Sequence, residues 1–348
     1  MLRILMMRRL HNTLYVNSDC YLQLDGENVV AKEEGEVVGR VPLHNLESIV
    51  TAGYAGASPA LMRACADKNI DLCFLSRNGK FLARIVGPVK GNVILRKNQY
   101  QKFSDDSYSL SIAKNMIRGK VYNSKWILER YTRDSPLRVN VELLKEKSKL
   151  LSEDFLKIDS IDTASQLLGI EGNAAQNYFS VYDNLILNQK DIFKFNERNR
   201  RPPLDPTNAL LSFCYSLLTS MCTSALECSG LDPYFGVYHV ERPGRPSLAL
   251  DLMEELRPVM VDRFVLNLIN TRRITKKDFI QKENGAVLLT DDGRKKLFTS
   301  WQKRKQEEIE HPYIKKKVPW GLVPFVQAKL LSSYIRGDLD GYPPFFWK

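Results

Sequence analysis

The spacing of apolar positions changes partway along the chain. Over the first ~90 residues it alternates, the period of half-buried strands. In CYLQLDGENVVA, Cys20, Leu22 and Leu24 fall at every second position, and Asp25-Gly26 supplies a hairpin turn able to take positive φ. EVVGRVPL follows Gly35, then LESIV, and IDLCFLS and FLARIVG flank Asn78-Gly79, a second hairpin signal. Ser58-Pro59 reads as an N-cap followed by a first-turn proline and opens the helix PALMRACADKN. The pattern predicts five or six strands with one helix, ending at Gly87-Pro88.

From about residue 93 the spacing becomes three and four, the period of an amphipathic helix. SLSIAKNMIRGKVYNSKWILERY, VNVELLKEKSKLLSEDFLK and TASQLLGIEGNAAQNYFSVYDNLIL all follow it. NRRPPLDP interrupts the series, and Asp205-Pro206 starts a long apolar helix ending near Gly230. A loop, LDPYFGVYHVERPGRP, leads into one further helix, SLALDLMEELRPVMVDRFVLNLI. The expected class is α+β: a small β-rich N-terminal domain, residues 1–88, followed by a larger all-α domain, residues 89–348.

Composition supports a globular chain. Of 348 residues, 44% are hydrophobic and 26% charged, which excludes a disordered or collagen-like polymer. The net charge is +11, and its bulk lies in the last 78 residues, where 17 basic side chains outnumber 9 acidic ones. An excess of this kind fits an anionic partner or a solvated basic face. The six cysteines form no C-x-x-C pair, against zinc-ribbon and thioredoxin-type sites, so a reduced cytoplasmic protein is expected. MLRILMMRRL is too short an apolar run for a signal peptide or membrane span, and the apolar stretch 208–226 carries enough hydroxyls to read as a buried core helix.

Three groups of residues carry candidate chemistry. On the helix from Ser247, Asp251, Glu254, Glu255 and Asp262 fall opposite an apolar face made by Leu252, Met253, Leu256, Val259, Met260 and Phe264. That acidic side is either an ordinary wet face or a set of like charges that needs a cation, since two carboxylates can hold a hard divalent metal. His239 stands in the loop just before this helix and is one of only four histidines. Glu171 lies within a run of Leu, Ile, Gly and Ala, so it is either an exposed helix residue or a buried carboxylate requiring a partner. Tyr178, Tyr215 and Tyr238 fit core packing or DNA stacking, and Arg242 and Arg245 fit a solvated loop or phosphate contact.

LLGIEGNAAQNYF, RPPLDPTNALLSFCYSLL and GLDPYFGVYHVERPGRPSLALDLMEELRP, in this order and spacing, resemble the CRISPR-associated integrase that captures new spacers. NTLYVNSDCYLQLDGENVV and GRVPLHNLESIVTAGYAGASPALMRAC look like the version found in type I-C systems. The resemblance covers nearly the whole chain. It implies an N-terminal domain used in homodimerisation and a helical catalytic domain. It implies metal ligands at Glu171, His239 and Glu254, with Asp251 as a supporting acidic residue; many relatives carry aspartate where this chain has Glu254. It also implies Mg²⁺ or Mn²⁺ and a small ferredoxin-like adaptation protein as partner, with no membrane. The implied reaction is transesterification that joins the 3′-hydroxyl ends of short duplex DNA into a CRISPR repeat. With Arg242, Arg245 and Tyr178 as candidate DNA contacts, the rival readings are a non-catalytic helical DNA-binding module and a hydrolase of small phosphoesters.

Overall fold

The structure, a computed structural model, describes residues 13–16, 20–46, 48–52, 55–68, 70–75, 81–85 and 93–348. The expected Asn78-Gly79 turn, the Gly87-Pro88 boundary and the first ten residues lie outside the described residues. In the N-terminal part the strands are β1 (Thr13–Val16), β2 (Tyr21–Asp25), β3 (Asn28–Glu33), β4 (Glu36–Pro42) and β5 (Ser48–Ala52). Helix α1 (Pro59–Lys68) precedes β6 (Asp71–Leu75) and β7 (Phe81–Ile85). Strands β2, β3 and β4 form an antiparallel sheet, turning at Gly26 with φ of +57°. The other sheet has order β1-β5-β6-β7, with β5 parallel to both β1 and β6 and β7 antiparallel to β6. Leu22, Val29, Leu43, Ile49, Leu61, Cys65 and Leu72 form their shared core, so the alternating residues are the buried ones. Ser58 Oγ accepts from the Leu61 amide and starts α1, as its sequence predicts.

The helical part holds α2 (Val93–Phe103), α3 (Asp106–Asp134), α4 (Val141–Lys157), α5 (Ala164–Phe179), α6 (Lys190–Phe193), α7 (Pro206–Cys228), α8 (Ser247–Glu254) and α9 (Arg263–Asn270). Beyond it come β8 (Phe279–Gln281), β9 (Val287–Leu289), α10 (Asp291–Gln306), β10 (Glu308–Glu310), β11 (Lys317–Pro319) and α11 (Val323–Arg336). The chain divides into two compact units: Met1–Lys90 with Leu289–Ile309 and Lys317–Leu322, and Gly91–Leu288 with Glu310–Lys316 and Val323–Lys348. Within the second unit α3 runs against α4, α5 and α8, while α7 lies against α8, α9 and α11. The Asp205 carboxylate caps α7 through the Asn208 amide, with Pro206 in the first turn. Helix α7 is long and apolar enough to cross a membrane, but most of it is buried inside the protein, as a core helix is. None of the six cysteines is in a disulfide, and of the six only Cys228 is exposed.

The stretch from Ser247 departs from a single amphipathic helix. Helix α8 stops at Glu254, and a wider π-helical turn, Arg257–Asp262, leads into α9. Pro258 sits in that turn, where its missing N–H and ring oppose a regular α-helix. Asp251, Glu254, Glu255 and Asp262 are all buried, so the wet acidic face does not exist.

Candidate active site

Helix α8 and the loop before it are folded together. Pro233 O accepts from the Leu248 and Ala249 amides at 2.9 and 3.3 Å, satisfying the first turn of α8. Asp251, one turn further, points back into the loop. Its Oδ2 accepts from the amides of Val237 (2.7 Å) and Tyr238 (3.1 Å), and its Oδ1 from the amide of His239 (2.9 Å). The same Oδ1 lies 2.6 Å from His239 Nδ1. Gly236 permits this approach: a Cβ there would stand 2.7 Å from Asp251 Oδ2 and 2.8 Å from Ser247 Cβ.

With Nδ1–H given to Asp251, His239 keeps Nε2 as its acceptor. Nε2 lies 3.8 Å from Glu254 Oε1. Glu254 is buried, with Arg257 Nη2 3.3 Å from Oε1 and Lys120 Nζ 2.8 Å from Oε2. Burial pushes the Glu254 carboxyl up, but the Arg257 and Lys120 cations and His239 outweigh it and hold the carboxyl at about 2. From α5, Glu171 reaches the same ammonium and hydrogen-bonds with Lys120 Nζ. The capping box of Thr163 and Gln166 starts α5. Glu171 and Glu254 therefore meet at one point, the Lys120 ammonium, while His239 Nε2 lies beside the other oxygen of Glu254.

The remaining carboxylates do other work. Glu255 faces away from this point, accepting from Gln327 Nε2 (2.8 Å), the Phe345 amide (2.6 Å) and the Tyr342 hydroxyl. Burial raises its carboxyl to about 7 against those hydrogen bonds. It anchors the C-terminal segment together with Asn123, whose Nδ2 donates to Glu255 O and Phe345 O. Asp262 accepts from the Tyr215 hydroxyl beside a cavity of about 50 Å³ that also touches Lys120, Glu171, Tyr178 and Arg257. Burial pushes Asp262 up to about 6, with Tyr215, Arg257 and Arg198 opposing.

Tyr178 requires a correction. Its ring is 2% exposed and packed against Phe179 and Tyr182, at 5.2 and 6.0 Å between centroids, so it has no face to offer a base. Arg245 donates to Val240 O at 3.4 Å, and Arg242 lines an open cleft with Tyr100, Asp232, Tyr234 and Phe235. The two arginines thus lie on the loop, while Lys120 and Arg257 supply the cations at the carboxylates. Lys120 was not among the sequence candidates, yet its helical neighbours at three- and four-residue spacing are Met116, Ile117, Asn123 and Ser124, all buried. A lysine on a buried stripe is the signal that would have found it.

The donor chemistry fits a divalent cation. Two carboxylates and an imidazole suit Mn²⁺ or Mg²⁺, and the two carboxylates already gather a cation between them. Among the described residues, no three His, Cys, Asp or Glu side chains close on one ion as they stand. The two carboxylates instead flank the Lys120 ammonium.

The sequence profile of the family described as CRISPR associated protein Cas1 matches residues 14–303. The chain is 48% identical to CRISPR-associated endonuclease Cas1 2 of Rhodospirillum rubrum, over 98% of this chain and 100% of that one. It is 44% identical to CRISPR-associated endonuclease Cas1 1 of Chlorobaculum tepidum, over 98% and 100%. Among solved structures it is similar to a casposase bound to integration product, with TM-score 0.83 and 25% identity over 96% of this chain and 93% of that one. A Cas1 protein from Thermotoga maritima shares the fold, with TM-score 0.79 and 23% identity over 97% and 100%. A divalent metal requirement comes with this nuclease family. The chain belongs to the Cas1 family and is a CRISPR-adaptation enzyme of the endonuclease and integrase class.

Proposed function

We propose that this chain joins the 3′-hydroxyl ends of short double-stranded DNA fragments to a CRISPR repeat, in a type I-C-like system. Glu171, His239 and Glu254 would hold Mg²⁺ or Mn²⁺. The observation that carries this reading is the Lys120 ammonium shared by Glu171 and Glu254, with His239 Nε2 3.8 Å from Glu254. When bound, the metal supplies Lewis acidity toward a phosphodiester oxygen. The protein's own groups do the rest. Arg257 keeps Glu254 ionised, Asp251 fixes the His239 ring, and the packing of α3, α5 and α8 keeps the carboxylates together before substrate arrives.

In joining, a P–O bond forms to the incoming 3′ oxygen as another breaks to the departing 3′ oxygen, and the proton passes to the departing oxygen. One phosphodiester replaces another, so no nucleotide cofactor is needed. Water in place of the hydroxyl gives endonucleolytic cleavage from the same residues. The burial of all four acidic side chains around α8 removes the solvated acidic face on which the non-catalytic reading relied.

The wider reading follows the family resemblance. Residues 1–88 serve homodimerisation and residues 89–348 catalysis, in the cytoplasm, with a small ferredoxin-like adaptation protein as partner. Arg242 and Arg245, on the loop that follows His239, are candidate phosphate contacts. The test is a labelled short duplex incubated with a repeat-bearing plasmid, Mn²⁺ and the partner protein. Covalent joining at the repeat boundary is expected; DNA binding without joining or cleavage would contradict the reading.

A further inference from the structure

We infer that Lys120 is a built-in stand-in for the metal, an internal cation that holds Glu171 and Glu254 together and must be displaced when a divalent ion binds. The inference rests on the metal site proposed above and concerns what occupies it beforehand. Lys120 Nζ is 2.8 Å from Glu254 Oε2 and hydrogen-bonds to Glu171 Oε1, so one ammonium bridges carboxylates from α8 and α5. All three side chains are largely withdrawn from water, at 12% exposure for Lys120, 20% for Glu171 and 4% for Glu254. Two carboxylates so placed repel strongly unless a cation lies between them, and burial magnifies the repulsion. Arg257 does not fill this role, because its Nη2 lies on the other oxygen of Glu254, Oε1.

A divalent ion attracts the same pair more strongly than an ammonium and competes for the same oxygens. Its measured affinity therefore carries the cost of moving Lys120, as any ligand does when a competing state is populated. The four-carbon stem lets the ammonium swing aside without moving α3.

The test measures Mn²⁺ binding to the full chain by titration calorimetry, with thermal melting of the metal-free protein alongside. Lys120→Met keeps the stem and removes the charge. The metal-free variant should melt lower than wild type, by about 3 °C or more, and Mn²⁺ should restore it. Its Mn²⁺ Kd should be tighter by about 10-fold or more. Lys120→Arg keeps the charge in a fork better matched to carboxylates, so it should fold like wild type and bind Mn²⁺ more weakly. Glu254→Gln separates the two ideas. If it binds Mn²⁺ as wild type does, the metal site is wrong and this inference falls with it. If Glu254→Gln loses Mn²⁺ but Lys120→Met binds no tighter than wild type, or Lys120→Arg no weaker, the site stands and displacement is wrong.

Discussion

The Asp251 carboxylate grips His239 at two places, its backbone amide at 2.9 Å and its ring Nδ1 at 2.6 Å, both through Oδ1. This arrangement sets both the position of the loop and the tautomer of the ring. Asp251 is thus a positioning residue, turned toward the loop and not toward Glu171. Replacing it by Asn keeps the size but removes the charge that favours Nδ1–H. Asp251→Asn should lower Mn²⁺ affinity and joining by about 10–100-fold, the range for loss of a carboxylate behind a ligating histidine. DNA affinity measured without metal should stay near wild type, and a parallel loss there would point to collapse of the loop instead.

Gly236 is needed for a reason that backbone conformation does not supply. A methyl group there would meet Asp251 Oδ2 and Ser247 Cβ at under 3 Å, both in the floor of the loop. Gly236→Ala should cost about 1–3 kcal/mol of stability by overpacking. Because the displaced atom belongs to Asp251, joining should fall further than the melting temperature implies. A variant that melts lower yet joins at wild-type rate would disconnect the loop from the site.

Glu254 balances two buried cations. Its carboxyl, held at about 2 by Arg257 and Lys120 against burial, binds fewer protons in the folded than in the unfolded chain. Its contribution to stability is therefore present above the usual carboxylate value of 4.5 and is lost as pH falls toward 2. Glu254→Gln should remove that acid dependence and leave Arg257 and Lys120 poorly compensated, at a cost of about 3–5 kcal/mol. Chemical denaturation of both proteins from neutral pH down to pH 3 measures it.

His311 works in the same direction at milder pH. Burial pushes its imidazole down to about 4, with Gln327 opposing, and its Nδ1 accepts from the amides of Tyr313 and Ile314. In the unfolded chain it takes its proton near the ordinary value of 6.5, so stability should decline as pH falls from 6.5 toward 4. The loss from this residue amounts to about 3 kcal/mol at most. His311→Asn, which retains an acceptor for the turn, should flatten that part of the profile; an unchanged slope would assign the decline to other groups.

Much of this architecture was legible because local chemistry decided it. Asp25-Gly26 forces a tight turn, Ser58-Pro59 and Asp205-Pro206 start helices by side-chain capping, and each appears where its residues place it. The break at Pro258 was less visible, since the apolar spacing runs on through it and tertiary burial selects the wider turn. Glu171, His239 and Glu254 are proposed as ligands through family resemblance, because individually each has a commonplace alternative. Lys120 lies 51 residues before Glu171, and only the packing of α3 against α5 and α8 brings it to the carboxylates. Tyr178 shows the opposite error: a tyrosine near a site in sequence is a core residue in space.

The most direct test of the central claim compares DNA joining by wild type with Glu171→Gln, His239→Ala and Glu254→Gln, scored with Mn²⁺ on a repeat-bearing plasmid. All three variants should bind the DNA fragment, and none should join or cleave it above background. Joining at wild-type rate by any one of them would contradict the claim.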